Sequence, residues 1–145
     1  MYRNHEYRNI EKRNTRQYAT CYRWIFWSIN ARFVISTDAQ VLLSIFEGTT
    51  YSDPGAIEPM INRNRNFPDD NTTLLYEDPV ITNIGTRLAR ITIGADDKKS
   101  AGGGNRDENE IVLKQNTAYL IRVTEQGIGS TTVNLVFDWY EHTNR

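Results

Sequence analysis

Over residues 110–140 the sequence reads EIVLKQNTAYLIRVTEQGIGSTTVNLVFDWY, and its alternation constrains the fold more than any other stretch. In 117–124, Tyr119, Ile121 and Val123 fall on one face, with Leu120, Arg122 and Thr124 on the other. In 132–140, Val133, Leu135, Phe137 and Trp139 share a face, opposite Asn134, Val136, Asp138 and Tyr140. Successive Cβ atoms of a strand point to opposite sides, so a period of two in β-branched and aromatic residues marks a strand with a face for a core. Gln126-Gly127-Ile128-Gly129-Ser130 supplies the glycines that a turn with positive φ requires. The two runs are therefore expected to pair as an antiparallel hairpin.

The rest of the chain extends this pattern. Residues 30–36 and 39–47 read as strands, the second with Val41, Leu43 and Ile45 pointing inward. Further strands are expected at 73–76, 79–82 and 87–93, separated by loops at 48–70 and 94–109. Pro54-Gly55 and fourteen asparagines add turn signals. Eight or nine strands at short spacing point to an all-β protein, an antiparallel β-sandwich of jelly-roll-like type. At 145 residues this is one domain with enough chain to bury a core.

Charge is uneven. Residues 1–16 carry five Arg or Lys against two Glu, while the whole chain has a net charge of −1. They repeat Arg-Asn at Arg3, Arg8 and Arg13, a spacing of five that fits neither a helix stripe nor one strand face. So polar a segment buries too little to order alone. It is expected to be an extended basic arm (1–16) ahead of a sandwich domain (17–145). Tyr2, Arg3, Tyr7, Arg8, Arg13, Arg16 and Tyr18 would be its interface anchors, since Tyr and Arg are enriched at protein contacts.

The stretch 17–27, QYATCYRWIFW, is the most aromatic. Apolar groups on both of its faces call for cover on both sides, from a second sheet or a neighbouring subunit. That motivates a homo-oligomer, with a trimer as the expected state. A single cysteine, Cys21, excludes an internal disulfide. The charged N-terminal stretch lacks the apolar core of a signal peptide, and no apolar run reaches the ~20 residues that span a bilayer. Synthesis in a cytoplasm and no membrane partner are expected.

Residues that could carry chemistry are sparse. His5, in the expected arm, and His142, in the last residues of the sequence, are the only histidines, which serves nucleophilic catalysis poorly. The acidic pairs Asp69-Asp70, Glu77-Asp78, Asp96-Asp97 and Asp107-Glu108 read as solvated loop acids, and none has calcium-loop spacing. Gly102-Gly103-Gly104 lacks the Lys-Ser/Thr of a phosphate loop. No catalytic set, metal site or cofactor is expected, and the protein is read as a non-enzyme. The run Asn62-Arg63-Asn64-Arg65-Asn66, if extended, puts guanidinium forks on one side and amides on the other. A structural or interface role is expected for it. Two cations on an otherwise acidic domain disfavour nucleic-acid binding, which draws on many phosphate contacts.

Several of these strings also occur together elsewhere. Glu47-Gly48-Thr49, the run 62–66, Pro79, Gly85-Thr86, Gly102-Gly103-Gly104, LKQNTAYLIR over 113–122 and FDWYEH over 137–142 follow in order. In this the chain resembles small structural proteins of tailed bacteriophages, encoded among head genes and regarded as capsid decoration or cement proteins. The resemblance implies a virion structural protein on the capsid surface. It would bind the major capsid protein lattice and stabilise the head, with no catalytic residues. The alternative expectation is a carbohydrate-binding β-sandwich of a phage head or tail fibre, which would need exposed rings among Trp24, Trp27 and Trp139.

Overall fold

The computed structural model describes residues 3–6, 16–22, 27–62, 65–66, 72–94, 100–102, 110–126 and 132–143. Among them there is no helix. The strands are β1 (Arg3–Glu6), β2 (Arg16–Tyr22), β3 (Trp27–Thr37), β4 (Val41–Glu47), β5 (Thr50–Asp53), β6 (Ala56–Glu58) and β7 (Ile61–Asn62). They continue with β8 (Thr73–Glu77), β9 (Val80–Asn83), β10 (Thr86–Ile93), β11 (Ser100–Gly102), β12 (Glu110–Leu113), β13 (Tyr119–Glu125) and β14 (Val133–Thr143). Sheet A runs β11-β3-β14-β1-β7, with β12 also on β3. Sheet B runs β10-β4-β13-β2-β8-β6, and β5 and β9 form a two-stranded sheet. Every ladder is antiparallel.

The expected all-β antiparallel sandwich is therefore what the chain forms, with fourteen strands among the described residues instead of eight or nine. The additional ones are short. β1, β5, β6, β7 and β11 have two to four residues each. Runs of that length are too brief for a period to register. They lie in stretches read from sequence as arm or loop.

The expected hairpin is replaced by an arch. β13 belongs to sheet B, between β2 and β4, whereas β14 belongs to sheet A, between β3 and β1. Alternation fixes which residues share a face, and both arrangements satisfy it. Here the apolar rows of the two strands face each other across the core, Tyr119, Ile121 and Val123 opposite Leu135, Phe137 and Trp139. The β3–β4 connection crosses the same way, and the two crossings are tied. Thr132 N donates to Asp38 Oδ1 at 2.8 Å, and Gln126 N to Gln40 O at 3.0 Å.

Between the sheets, Ala31, Ile35, Leu113, Leu135, Phe137 and Trp139 pack on Val41, Leu43, Ile45, Leu75, Tyr119, Ile121 and Val123. Val41, Leu43 and Ile45 point inward as their alternation requires. A second, smaller cluster lies on the outer face of sheet B. The β4–β10 ladder turns at Gly48 and Gly85 and continues as the β5–β9 ladder. Its Ile81 and Ile84 pack against Phe46 and the fully buried Leu120. Sheet B is thus covered on both faces by its own chain at this end.

Candidate functional site

Residues singled out in the sequence meet at two places. The first is the β1–β7 border of sheet A. Arg3–Glu6, expected in the extended arm, is extended and paired, with Arg3 opposite Glu141 and His5 opposite both Trp139 and Asn62. Asn62, the first residue of the Asn-Arg run, is buried, and Arg65 and Asn66 form an exposed turn, so the run is not extended throughout. Arg63 and Asn64 lie outside the described residues, as do Tyr2, Tyr7, Arg8 and Arg13. Arg16 begins β2 opposite Val123, and Tyr18 stands opposite Ile121 and Glu77. Two stretches far apart in sequence, the arm and the Asn-Arg run, thus lie side by side. Ile61, on β7, is exposed at this border.

The second is the end of sheet B where β4, β10 and β13 meet. Tyr119 is buried, and its hydroxyl donates to Glu47 Oε2 at 2.7 Å while accepting from Lys114 N at 2.8 Å. Lys114 Nζ donates to Glu47 Oε1 at 2.7 Å. Gly48 N and Thr49 N both donate to Ala118 O, and Thr49 Oγ1 donates to Ile84 O at 2.9 Å. Thr86 stands opposite Glu47 in the β4–β10 ladder. Hydrogen bonds from Lys114 and Tyr119 hold the Glu47 carboxyl below its ordinary range. Burial, and then the carboxylate beside it, push the Tyr119 hydroxyl up to about 12.

The sign of that shift gives a prediction. Above pH 10 the unfolded chain releases a proton that the folded chain keeps, so stability falls between about pH 10 and 12. Tyr119→Phe should remove that alkaline limb from the urea midpoint measured against pH. It should also cost about 1–2 kcal/mol at neutral pH. Lys114→Ala, at an exposed cation, should lower the melting temperature far less. An unchanged alkaline limb in Tyr119→Phe would place the titration elsewhere.

Sequence reading missed the most constrained charge. Glu141 is fully buried and continues the inward row of Val133, Leu135, Phe137 and Trp139. Its carboxylate accepts from Thr73 N at 3.0 Å, Thr72 N at 3.1 Å, Thr72 Oγ1 at 2.9 Å and Trp139 Nε1 at 3.2 Å. Burial pushes its pKa up, but the two amides, the indole and the hydroxyl outweigh it and hold the carboxyl below its ordinary 4.5. The group clasps β14 of sheet A to the start of β8 in sheet B. Its signal was an acid in phase with a buried row.

Among the described residues no group of three or more His, Cys, Asp or Glu could hold a metal ion. Both carboxylates spend their lone pairs on framework donors. No family model, curated protein or solved structure matches the chain. Among the described residues no helix is long and apolar enough to cross a membrane. Trp139, a candidate for stacking on a sugar, is fully buried with its indole N–H committed to Glu141 and cannot serve. The side chains of Trp24 and Trp27 lie outside the described residues.

Proposed function

We propose that this is a virion structural protein of a tailed bacteriophage, a capsid decoration protein that binds the major capsid protein lattice and stabilises the head. One observation carries the reading. Glu47-Gly48-Thr49, Gly85-Thr86 and LKQNTAYLIR, separate strings in the resemblance, make up a single hydrogen-bonded end of sheet B. The resemblance is then one of framework, carried by residues that depend on one another. With it go the proposals of a jelly-roll-like connectivity, a homo-oligomer (a trimer), and a place on the capsid surface after synthesis in the host cytoplasm. The basic N-terminal residues supply the grip on an acidic shell surface.

Deleting residues 1–16 would remove β1 from between β14 and β7, and would confuse loss of grip with loss of fold. The test is a full-length variant with Arg3, Arg8, Arg13 and Arg16 changed to Gln, co-sedimented with shells of the major capsid protein. The unaltered chain should pellet saturably. The variant should pellet about tenfold more weakly, and the gap should narrow as salt rises. Failure of the unaltered chain to pellet with mature shells would overturn the proposal.

A further inference from the structure

Among the described residues β10 is one of the two edge strands of sheet B, β6 being the other, and six of its eight residues are exposed. Its ladder with β4 carries a one-residue irregularity. Arg87 stands opposite Phe46, and Ala89 opposite the next residue, Ile45, so Leu88 is the extra residue of a bulge. In a regular strand, residues three apart lie on opposite faces. The bulge instead places Arg87 and Arg90 on one face, the outer one, because Arg90 stands opposite Ser44 in phase with Phe46. Arg122 joins them there. It is paired with Ser44 from the other side, and its guanidinium lies 5.7 Å from the Phe46 ring centroid. Among the described residues neither Arg87 nor Arg90 has an acidic partner. Leu88, 44% exposed, and Ile91, 42% exposed, add apolar surface along the same edge.

From this we infer that β10 is the docking edge for an extended acidic segment of a partner protein, which adds to sheet B as a further strand. The edge supplies main-chain donors and acceptors, Leu88 and Ile91 supply apolar contact, and the paired guanidiniums select carboxylates. Charge decides against a second copy of the same strand, since two β10 edges would bring arginines together across the new ladder. Within the proposed function the segment belongs to the major capsid protein, and the inference rests on that reading only for the partner's identity.

The full chain is to be mixed with a synthetic peptide alternating glutamate and valine over the length of β10. Hydrogen exchange is followed at residues 86–92, with the Arg87→Glu/Arg90→Glu variant in parallel. Both positions are exposed, so the variant should fold, as its melting temperature will report. Binding should slow exchange along β10, and the variant should bind about tenfold or more weakly. Equal binding by the variant overturns the inference, as does equal binding of a peptide of the same charge interrupted by prolines. A salt-resistant dimer of the chain lost in the variant would overturn it in favour of a second copy. Tighter binding of duplex DNA through the same arginines would overturn it in favour of phosphate. In the shell assay, equal pelleting of variant and unaltered chain sinks the β10 inference and leaves the decoration role standing. Peptide binding without pelleting does the reverse.

Discussion

Replacing Glu141 with alanine should destabilise the protein by roughly 3–5 kcal/mol, because each buried donor left without its acceptor costs about 1–3 kcal/mol. The substitution strips Thr72 N, Thr73 N and Trp139 Nε1 of their acceptor and leaves a hole between the two sheets. Domains are stable by only about 5–15 kcal/mol, so a shift in melting temperature on the order of 10 °C is expected. Acid should act on the same clasp. The folded carboxyl titrates below its ordinary value, so its contribution is complete above the unfolded pKa and is lost as pH falls through the folded one. Glu141→Gln keeps the shape but turns an amide N–H toward donors, and it should flatten the acid limb of stability while costing less than alanine. If Glu141→Ala unfolded within about 1 kcal/mol of the unaltered chain, the donors would be finding water instead, and the clasp would be incidental.

Gly85→Ala should be nearly as damaging, and Gly48→Ala should not. Both glycines have positive φ, +81° and +74°, which alone costs an L-residue roughly 1–2 kcal/mol. A Cβ on Gly85 would stand 2.2 Å from Glu47 O and 3.0 Å from Gly48 C, both backbone, whereas one on Gly48 meets nothing within 4 Å. Accommodating the methyl at Gly85 means moving the carbonyl of the residue that anchors Tyr119 and Lys114. A loss of roughly 3 kcal/mol or more is expected, with the alkaline limb assigned to Tyr119 disturbed as well. Denaturant titration of the two alanine variants decides the point. Equal midpoints would mean that the close approach is relieved without cost.

Much of the sandwich was legible because its main strands are long. Val41, Leu43 and Ile45 and the row from Val133 to Trp139 announce inward faces through a period of two, and the core uses them so. Partnership was not legible. Tyr119–Glu125 and Val133–Thr143 carry the same pattern whether they pair in one sheet or face each other from two. Ties to distant chain, Asp38 to Thr132 and Gln40 to Gln126, accompany the arch. Short strands such as Ile61–Asn62 offer no period and take their conformation from a neighbour, here β1. The two carboxylate centres hid for different reasons. Glu47 is recognisable only once Lys114 and Tyr119 are beside it, whereas Glu141 could have been noticed as an acid in an apolar row. The face shared by Arg87 and Arg90 depends on a bulge that alternation alone would deny.

The position of β1 has a bearing on how the molecule assembles. Its partners are β14, near the other end of the chain, and β7. During synthesis, Arg3–Glu6 must wait for residues 139–141 before its ladder can close, with β3 waiting for the same strand. Sheet A is thus completed after sheet B, by pairing residues 3–5 with residues 139–141, and topologies with such distant contacts fold in roughly milliseconds to seconds. Until then β3 lacks the β14 strand at its side and the inner face of sheet B lacks the Leu135, Phe137 and Trp139 row that covers it, a window in which nascent chains are prone to associate. Yield from cells should therefore depend on growth temperature and chaperone supply more steeply than the stability of the finished protein does.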